Sequence, residues 1–199
     1  DEMHLAFNFR FVHAGFDGPG LRSAIDSSLA ANAEVGAETT WVTDNHDTPR
    51  SVSRLGQDVL LSGAYVPGTM ASGIAQDVDH ALGTRRARAM ALILLALPGA
   101  AYVYNGQELG LPNVDDLPDE VLQDPIWERS GHTSRGRDGC RIPIPWTSGA
   151  TLGVTGSRCT PWLPLPPEWA DQSVASQQAS PDSMLALYRR ELAGRGSRP

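Results

Sequence analysis

Thr39-Thr40-Trp41-Val42-Thr43-Asp44-Asn45-His46-Asp47-Thr48-Pro49-Arg50 is the stretch on which the fold turns. Its first half, β-branched and aromatic, has the composition of a buried strand. Its second half is a polar cluster that no apolar core accepts unpaired, so the strand over Thr39 to Thr43 ends where Asp44 begins. Pro49 blocks regular continuation and biases Thr48 towards extended geometry. Asn45, His46 and Asp47 are therefore presented on a loop at the carboxyl end of a strand, the end at which parallel α/β proteins bind ligands.

Working outward, the amino-terminal side supplies a short, mostly apolar run, Met3 to Phe9, that reads as a buried strand. Leu21, Ile25, Leu29 and Ala33 then recur at spacings near four, one apolar face of a helix stopped at Gly36. On the carboxyl side, Arg50 to Leu82 is a long polar excursion punctuated by Gly56, Gly63, Pro67, Gly68 and Gly73. An excursion of that length at the ligand end of a sheet usually shapes a site.

Gly83 to Ala96 reads as a helix that is apolar nearly all round and therefore covered by neighbours on several sides. Pro98-Gly99 ends it, and Ala100 to Tyr104 follows as the next buried strand. Alternation of strand and helix implies an α/β fold with parallel strands and right-handed crossovers. From Gly106 to Trp169 the regular pattern stops, and Trp127, Trp146, Trp162 and Trp169 favour ordered, packed irregular structure there. Ser183 to Ala193 is a last helix, with Asp182 or Ser183 able to cap it, and Gly194 to Pro199 reads as a frayed tail.

The 199 residues are 41% hydrophobic and 20% charged, a profile of one globular domain or a piece of a larger one. Net charge is -7, and all 16 basic residues are Arg. This balance argues against a nucleic-acid partner or an anionic membrane surface, both of which call for basic excess. A neutral or cationic small molecule fits better. Cys140 and Cys159 are too few for a disulfide framework and have no metal-ligand spacing with the histidines, so they read as reduced and no metal site is expected. Ala89 to Tyr104, the longest apolar stretch, is broken by Pro98 and Gly99 and is shorter than the roughly 20 residues of a spanning helix. The expected location is cytoplasmic, although a start at Asp1 suggests that the natural amino terminus lies upstream.

Four stretches in order carry a specific resemblance. They are Val42 to Arg50 with Ser53-Arg54 following; Ala96-Leu97-Pro98-Gly99 leading to Tyr104-Asn105-Gly106-Gln107-Glu108-Leu109-Gly110; Gly136-Arg137-Asp138-Gly139-Cys140-Arg141-Ile142-Pro143-Ile144-Pro145-Trp146; and Leu185-Ala186-Leu187-Tyr188-Arg189. Together they resemble the carboxyl-terminal half of the catalytic barrel in the α-amylase superfamily, glycoside hydrolase family 13, in its α-glucosidase and oligo-1,6-glucosidase branch. The resemblance implies a partial TIM (β/α)8 barrel over residues 1–193, with Met3 to Phe9, Thr39 to Thr43 and Ala100 to Tyr104 as its sixth, seventh and eighth strands. Residues 106–170 would be an irregular loop region, and 194–199 a tail leading to a terminal β-sandwich outside the chain. The amino-terminal barrel half, which in the family carries the nucleophilic Asp and the acid/base Glu, would be a missing partner.

Retaining glycoside hydrolysis uses a carboxylate nucleophile and a carboxyl acid/base roughly 5 Å apart, through an oxocarbenium-like transition state helped by hydrogen bonds to sugar hydroxyls. The resemblance makes Asp47 the third carboxylate, which holds hydroxyls and favours the distorted ring. It makes His46 a hydroxyl donor, and Arg50 a residue that reaches the leaving-group sugar or pairs with an active-site carboxylate, although Arg in such loops is as often a structural tie. Arg137, Asp138 and Arg141 read as a loop-locking ion network, and Glu108, after the eighth strand, as structural. Trp127 and Trp146 can stack on sugars, packing being the commoner role. The implied substrate is an α-glucoside oligosaccharide and no cofactor is implied. Two functions stand side by side: release of terminal α-linked glucose, with transglycosylating or isomerising variants, and a non-catalytic scaffold subunit.

Overall fold

Short polar side chains set where the helices begin. In the computed structural model, which describes residues 5–57, 78–156 and 159–196, Asn8 caps α1 (Phe9–Val12) through the Phe11 amide. Asp17 caps α2 (Gly18–Glu34) by accepting from the Gly20 amide at 2.7 Å, with Pro19 in the first turn, where a missing N–H costs nothing. Asp79 accepts from the Leu82 amide at 2.8 Å to start α4 (His80–Ala96), and Ser183 does the same for the Ala186 amide to start α7 (Met184–Arg195). The shorter α3 (Ser51–Leu55), α5 (Pro125–Arg129) and α6 (Val174–Gln178) lie in connecting segments.

Two strands, β1 (Thr40–Val42) and β2 (Ala100–Tyr102), pair in parallel with Trp41 opposite Ala101. The crossover between them carries α3 and α4, as an α/β connection requires. Trp41 is fully buried, meets Phe11 edge-on at 5.2 Å, and donates its indole N–H to the Pro98 carbonyl at 2.5 Å. It ties strand, first helix and the turn after α4 together.

One core gathers Phe11, Trp41, Val52, Leu55, Met90, Leu94 and Tyr188; a second gathers Leu109, Leu111, Ile142, Leu163, Trp169 and Leu185. Helix α7 contributes to both, so it joins the sheet layer to the irregular segment. The described residues of that segment, 106–156 and 159–170, pack around the second core, with 3-10 turns at Gln107–Leu109, Asp119–Val121, Asp138–Cys140 and Pro167–Ala170. Of its tryptophans Trp169 packs fully, whereas Trp146 and Trp162 are exposed.

Several expectations are corrected. Residues 5–8 form no strand: Thr40 Oγ1 donates to the Ala6 carbonyl beside β1, but no ladder follows, and Phe9 already belongs to α1 because the Asn8 side chain caps a helix there. Met3 and His4 lie outside the described residues. The excursion after Arg50 is not all loop, since α3 follows at once and α4 begins at His80; 58–77 lie outside the described residues. Helix α4 buries Ala87, Met90, Ala91, Leu94 and Leu95, and it is open at Leu92, which is 44% exposed. Helix α7 continues through Arg195 because that guanidinium donates to the carbonyls of Leu95, Leu97 and Gly99, where a frayed tail was expected.

Candidate functional site

Beyond Val42 the backbone leaves β1, and Asn45 organises the turn. Its Oδ1 accepts from the Asp47 amide at 2.8 Å and from Thr48 Oγ1 at 3.2 Å, an Asx turn that fixes the direction of Asp47. Asp44 points the other way, into the protein, where Ser51 Oγ donates to it at 3.0 Å and the Arg54 guanidinium stands 3.6 Å off. Burial pushes the Asp44 carboxyl above the usual range, with Arg54 opposing the rise. Adjacent carboxylates thus have opposite roles: Asp44 is a buried brace and Asp47 is a third exposed.

Asp47 Oδ1 is the shared acceptor of the site. Arg137 Nη1 donates to it at 2.6 Å, His46 Nε2 lies at 3.5 Å, and Arg141 Nη2 at 3.6 Å. Among the described residues no side-chain hydrogen bond is made to Oδ2. His46 is largely exposed, and its carbonyl accepts from Arg141 Nε at 3.0 Å, so the His46 backbone is held while its ring is not buried.

The expected ion network of Arg137, Asp138 and Arg141 exists, and it reaches the site rather than standing apart. Arg137 Nε and Nη2 bind Asp124 at 2.5 and 3.1 Å while Nη1 binds Asp47. Asp138 Oδ2 accepts from the amides of Gln123 and Asp124 at 2.5 and 2.8 Å. The Arg137 hydrogen bond, together with the amides of Ile126 and Arg137, holds the Asp124 carboxyl well below the usual carboxylate range. Asp124 was not singled out from the sequence. Its signal there, an acid before Pro125, is that of a helix cap and says nothing of Asp47.

Of the two readings of Arg50, ligand contact or structural tie, its placement has the geometry of the tie. It is fully buried, donates to the carbonyls of Asn105 at 2.7 Å and Ile142 at 3.2 Å, and lies over the Tyr104 ring at 5.3 Å. In this placement its Nη1 and Nη2 tie the loops after β1 and β2 to the irregular segment through backbone carbonyls, while Nε makes no hydrogen bond among the described residues. Gln107 is a second tie: Nε2 donates to Thr43 Oγ1 at 2.6 Å and to the Tyr188 hydroxyl at 2.7 Å. Glu108 accepts from the Gly106 amide at 2.9 Å, a structural contact.

Trp127 stacks with His132 at 4.6 Å, and Arg135 lies over its ring at 5.7 Å, so protein groups already use its π-face. A groove of about 600 Å³ lies elsewhere, between the start of α4 and the α6–α7 junction, lined by His80, Arg88, Trp169, Gln172 and Asp182 among others. It includes none of Asp47, His46 or Arg137, so the site rests on the chemistry around Asp47 and not on cavity size. Among the described residues no group of three or more His, Cys, Asp or Glu side chains is placed to hold a metal ion. Nor is any helix among them long and apolar enough to cross a membrane.

Comparison with known proteins gives the family. Residues 4–198 match the family described as alpha amylase, catalytic domain. A probable alpha-glucosidase of Rhizobium meliloti (strain 1021) is 32% identical over 199 residues, all of this chain and 32% of the relative. An oligo-1,6-glucosidase of Parageobacillus thermoglucosidasius is 27% identical over 212 residues, covering 92% of this chain and 34% of that protein. Among solved structures, the alpha-glucosyl transfer enzyme XgtA superposes with a TM-score of 0.70 at 29% identity, over 100% of this chain and 32% of its own. The chain thus spans about a third of the length of the relatives it matches. With a family match over nearly its whole length, the chain belongs to the α-amylase family, as part of the catalytic domain with its TIM-barrel fold.

Proposed function

We propose that this chain is the carboxyl-terminal half of the barrel of an α-glucosidase-like retaining glycoside hydrolase, acting on terminal α-1,4- or α-1,6-linked glucose in oligosaccharides. In this reading β1 and β2 are the seventh and eighth barrel strands. Asp47 holds sugar hydroxyls and stabilises the transition state, and His46 donates to a neighbouring hydroxyl. Arg50 acts at one remove, by fixing the loops on which the site is built. The nucleophile and acid/base come from an amino-terminal half outside these 199 residues, so this chain alone is inactive.

The observation that carries the reading is Asp47 on the turn beyond the carboxyl end of a buried parallel strand, with Oδ1 pinned by Arg137 and Oδ2 without a hydrogen bond among the described residues. A carboxylate held by one oxygen keeps the other aimed, and hydrogen bonds to hydroxyls that strengthen in the transition state contribute to glycoside cleavage. The relatives named above, an alpha-glucosidase and an oligo-1,6-glucosidase, support the substrate class.

The test is turnover of p-nitrophenyl α-glucoside by the chain alone and after co-expression with an amino-terminal barrel half. Turnover on complementation that disappears in Asp47→Asn is the expected result. Soluble, reassembled but inactive halves would instead favour a scaffold subunit. Similarity to an alpha-glucosyl transfer enzyme favours a second outcome in the same assay, glucosyl transfer to an added sugar acceptor in place of water, read by product chromatography.

A further inference from the structure

Arg137 has a planar fork of donors, and the structure spends it in two directions. Nε and Nη2 go to Asp124, and Nη1 goes to Asp47. Asp124 is 2% exposed, whereas the side chains of Arg137 and Asp47 are each about a third exposed. The buried carboxylate is thus the fixed end of the arrangement and Asp47 the working end. An exposed guanidinium with a single carboxylate partner keeps much of its rotamer freedom; one gripped at two nitrogens by a buried carboxylate does not.

The loop is built for this grip. Asp138 clamps the backbone of Gln123 and Asp124, so the carboxylate of residue 124 starts from a fixed Cα. Asp124 also accepts from the Arg137 amide at 2.9 Å, bringing the two residues together by backbone as well as side chain. Gly136, immediately before Arg137, has φ +72 and packs so closely that a Cβ would fall 2.5 Å from Asp124 Cβ. Only a residue without a side chain allows that approach.

We propose that Asp124 is a positioning residue of the glucoside site: it holds the Arg137 guanidinium against Asp47 and so sets where the free oxygen of Asp47 meets the sugar. This rests on the glycosidase reading above. Asp124 touches no substrate, and its effect passes through Arg137. A loop staple alone would need only the Asp124–Arg137 pair; the third donor extended to Asp47 couples the staple to the chemistry.

The experiment uses the complete barrel protein and compares wild type, Asp124→Asn, Arg137→Ala and the double variant on p-nitrophenyl α-glucoside, with thermal melting alongside. Asparagine keeps an oxygen for the Ile126 amide, and Asp124→Ser, also a capping residue, serves if the amide variant does not fold. Asp124→Asn is expected to lower kcat/KM roughly 10- to 100-fold, the scale of a small misplacement of reacting groups. The double variant should be no worse than Arg137→Ala, because both remove the same interaction. Millimolar guanidinium ion should restore part of the activity of Arg137→Ala, where Asp124 can still seat it beside Asp47, and none of the activity of the double variant. An active wild type with additive losses, or rescue that does not depend on Asp124, would overturn the inference alone. An inactive wild type would overturn the glycosidase reading and this inference with it.

Discussion

Arg50 Nη1 donates to the carbonyl oxygen of Asn105 at 2.7 Å, joining the loop that follows β1 to the loop that follows β2. Its Nη2 reaches the Ile142 carbonyl at 3.2 Å in the irregular segment, so one buried guanidinium holds three pieces of chain in register. Replacing Arg50 by Lys retains the charge but not the fork, and one ammonium cannot satisfy both carbonyls in that geometry. Arg50→Lys should destabilise by about 1–3 kcal/mol, the cost of a buried acceptor left unpaired, as read from the urea midpoint. An unchanged midpoint would show that the tie contributes nothing.

Gly83 lies inside helix α4, where alanine is ordinarily better by about 1 kcal/mol. Here the sign reverses. A Cβ at this position would overlap the Val52 carbonyl oxygen and crowd the Gly56 amide nitrogen, because α3 and α4 pack with their backbones nearly touching. Gly83→Ala should lower stability by about 1–3 kcal/mol through overpacking against backbone that cannot move aside. A raised melting temperature would mean that α3 yields.

His13, half-buried beside Arg54, has its pKa lowered from 6.5 to about 4, first by burial and then by the guanidinium. The folded state therefore keeps the ring neutral where the unfolded chain protonates it. Stability from this residue is fully present above pH 6.5 and is lost as pH falls towards about 4. His13→Gln should flatten the stability profile across that window relative to the unsubstituted chain, in urea titrations at stepped pH. Parallel profiles would remove His13 as a source of acid sensitivity.

Cys140 is 2% exposed with its thiol pushed up to about 11 by burial, while Cys159 is exposed. Reactivity follows the exposed thiolate fraction. Iodoacetamide at pH 8 should label Cys159 in the folded chain and reach Cys140 only in denaturant, as peptide mass mapping would show. Equal labelling without denaturant would place the loop around Cys140 in an open form.

Much of the frame was legible because it is local. The β-branched run at Thr40 to Val42 and the helical spacing of Leu21 and Ile25 need no distant partner to declare themselves, and β1 and α2 form where that pattern places them. Residues 5–8 failed as a strand for the opposite reason. An apolar run becomes a strand only with a backbone neighbour to complete the ladder, while the Asn8 cap acts within three residues and captured Phe9 for a helix. Helix α3 was missed because its five residues are too few to show a period.

The site divides along the same line. Asn45, His46 and Asp47 were found together because one turn carries them. Arg50 was singled out in the sequence with its role open between ligand contact and structural tie, since nothing local says whether a guanidinium faces a ligand or the interior. Asp124 was not found at all.

The sequence by itself determined which segment ends a strand in a polar turn, that Ser183 can cap the last helix, and, through four ordered motifs, the family. Only the tertiary structure decided that Asp44 turns inward and Asp47 outward, that Arg50 is spent on carbonyls, and that Asp124 grips Arg137 against Asp47. Hydrogen bonding and capping within a few residues are written in adjacent letters. The partner of a buried charge is chosen by which distant segments the packing of two cores brings within 3 Å, and no spacing in the chain records that choice.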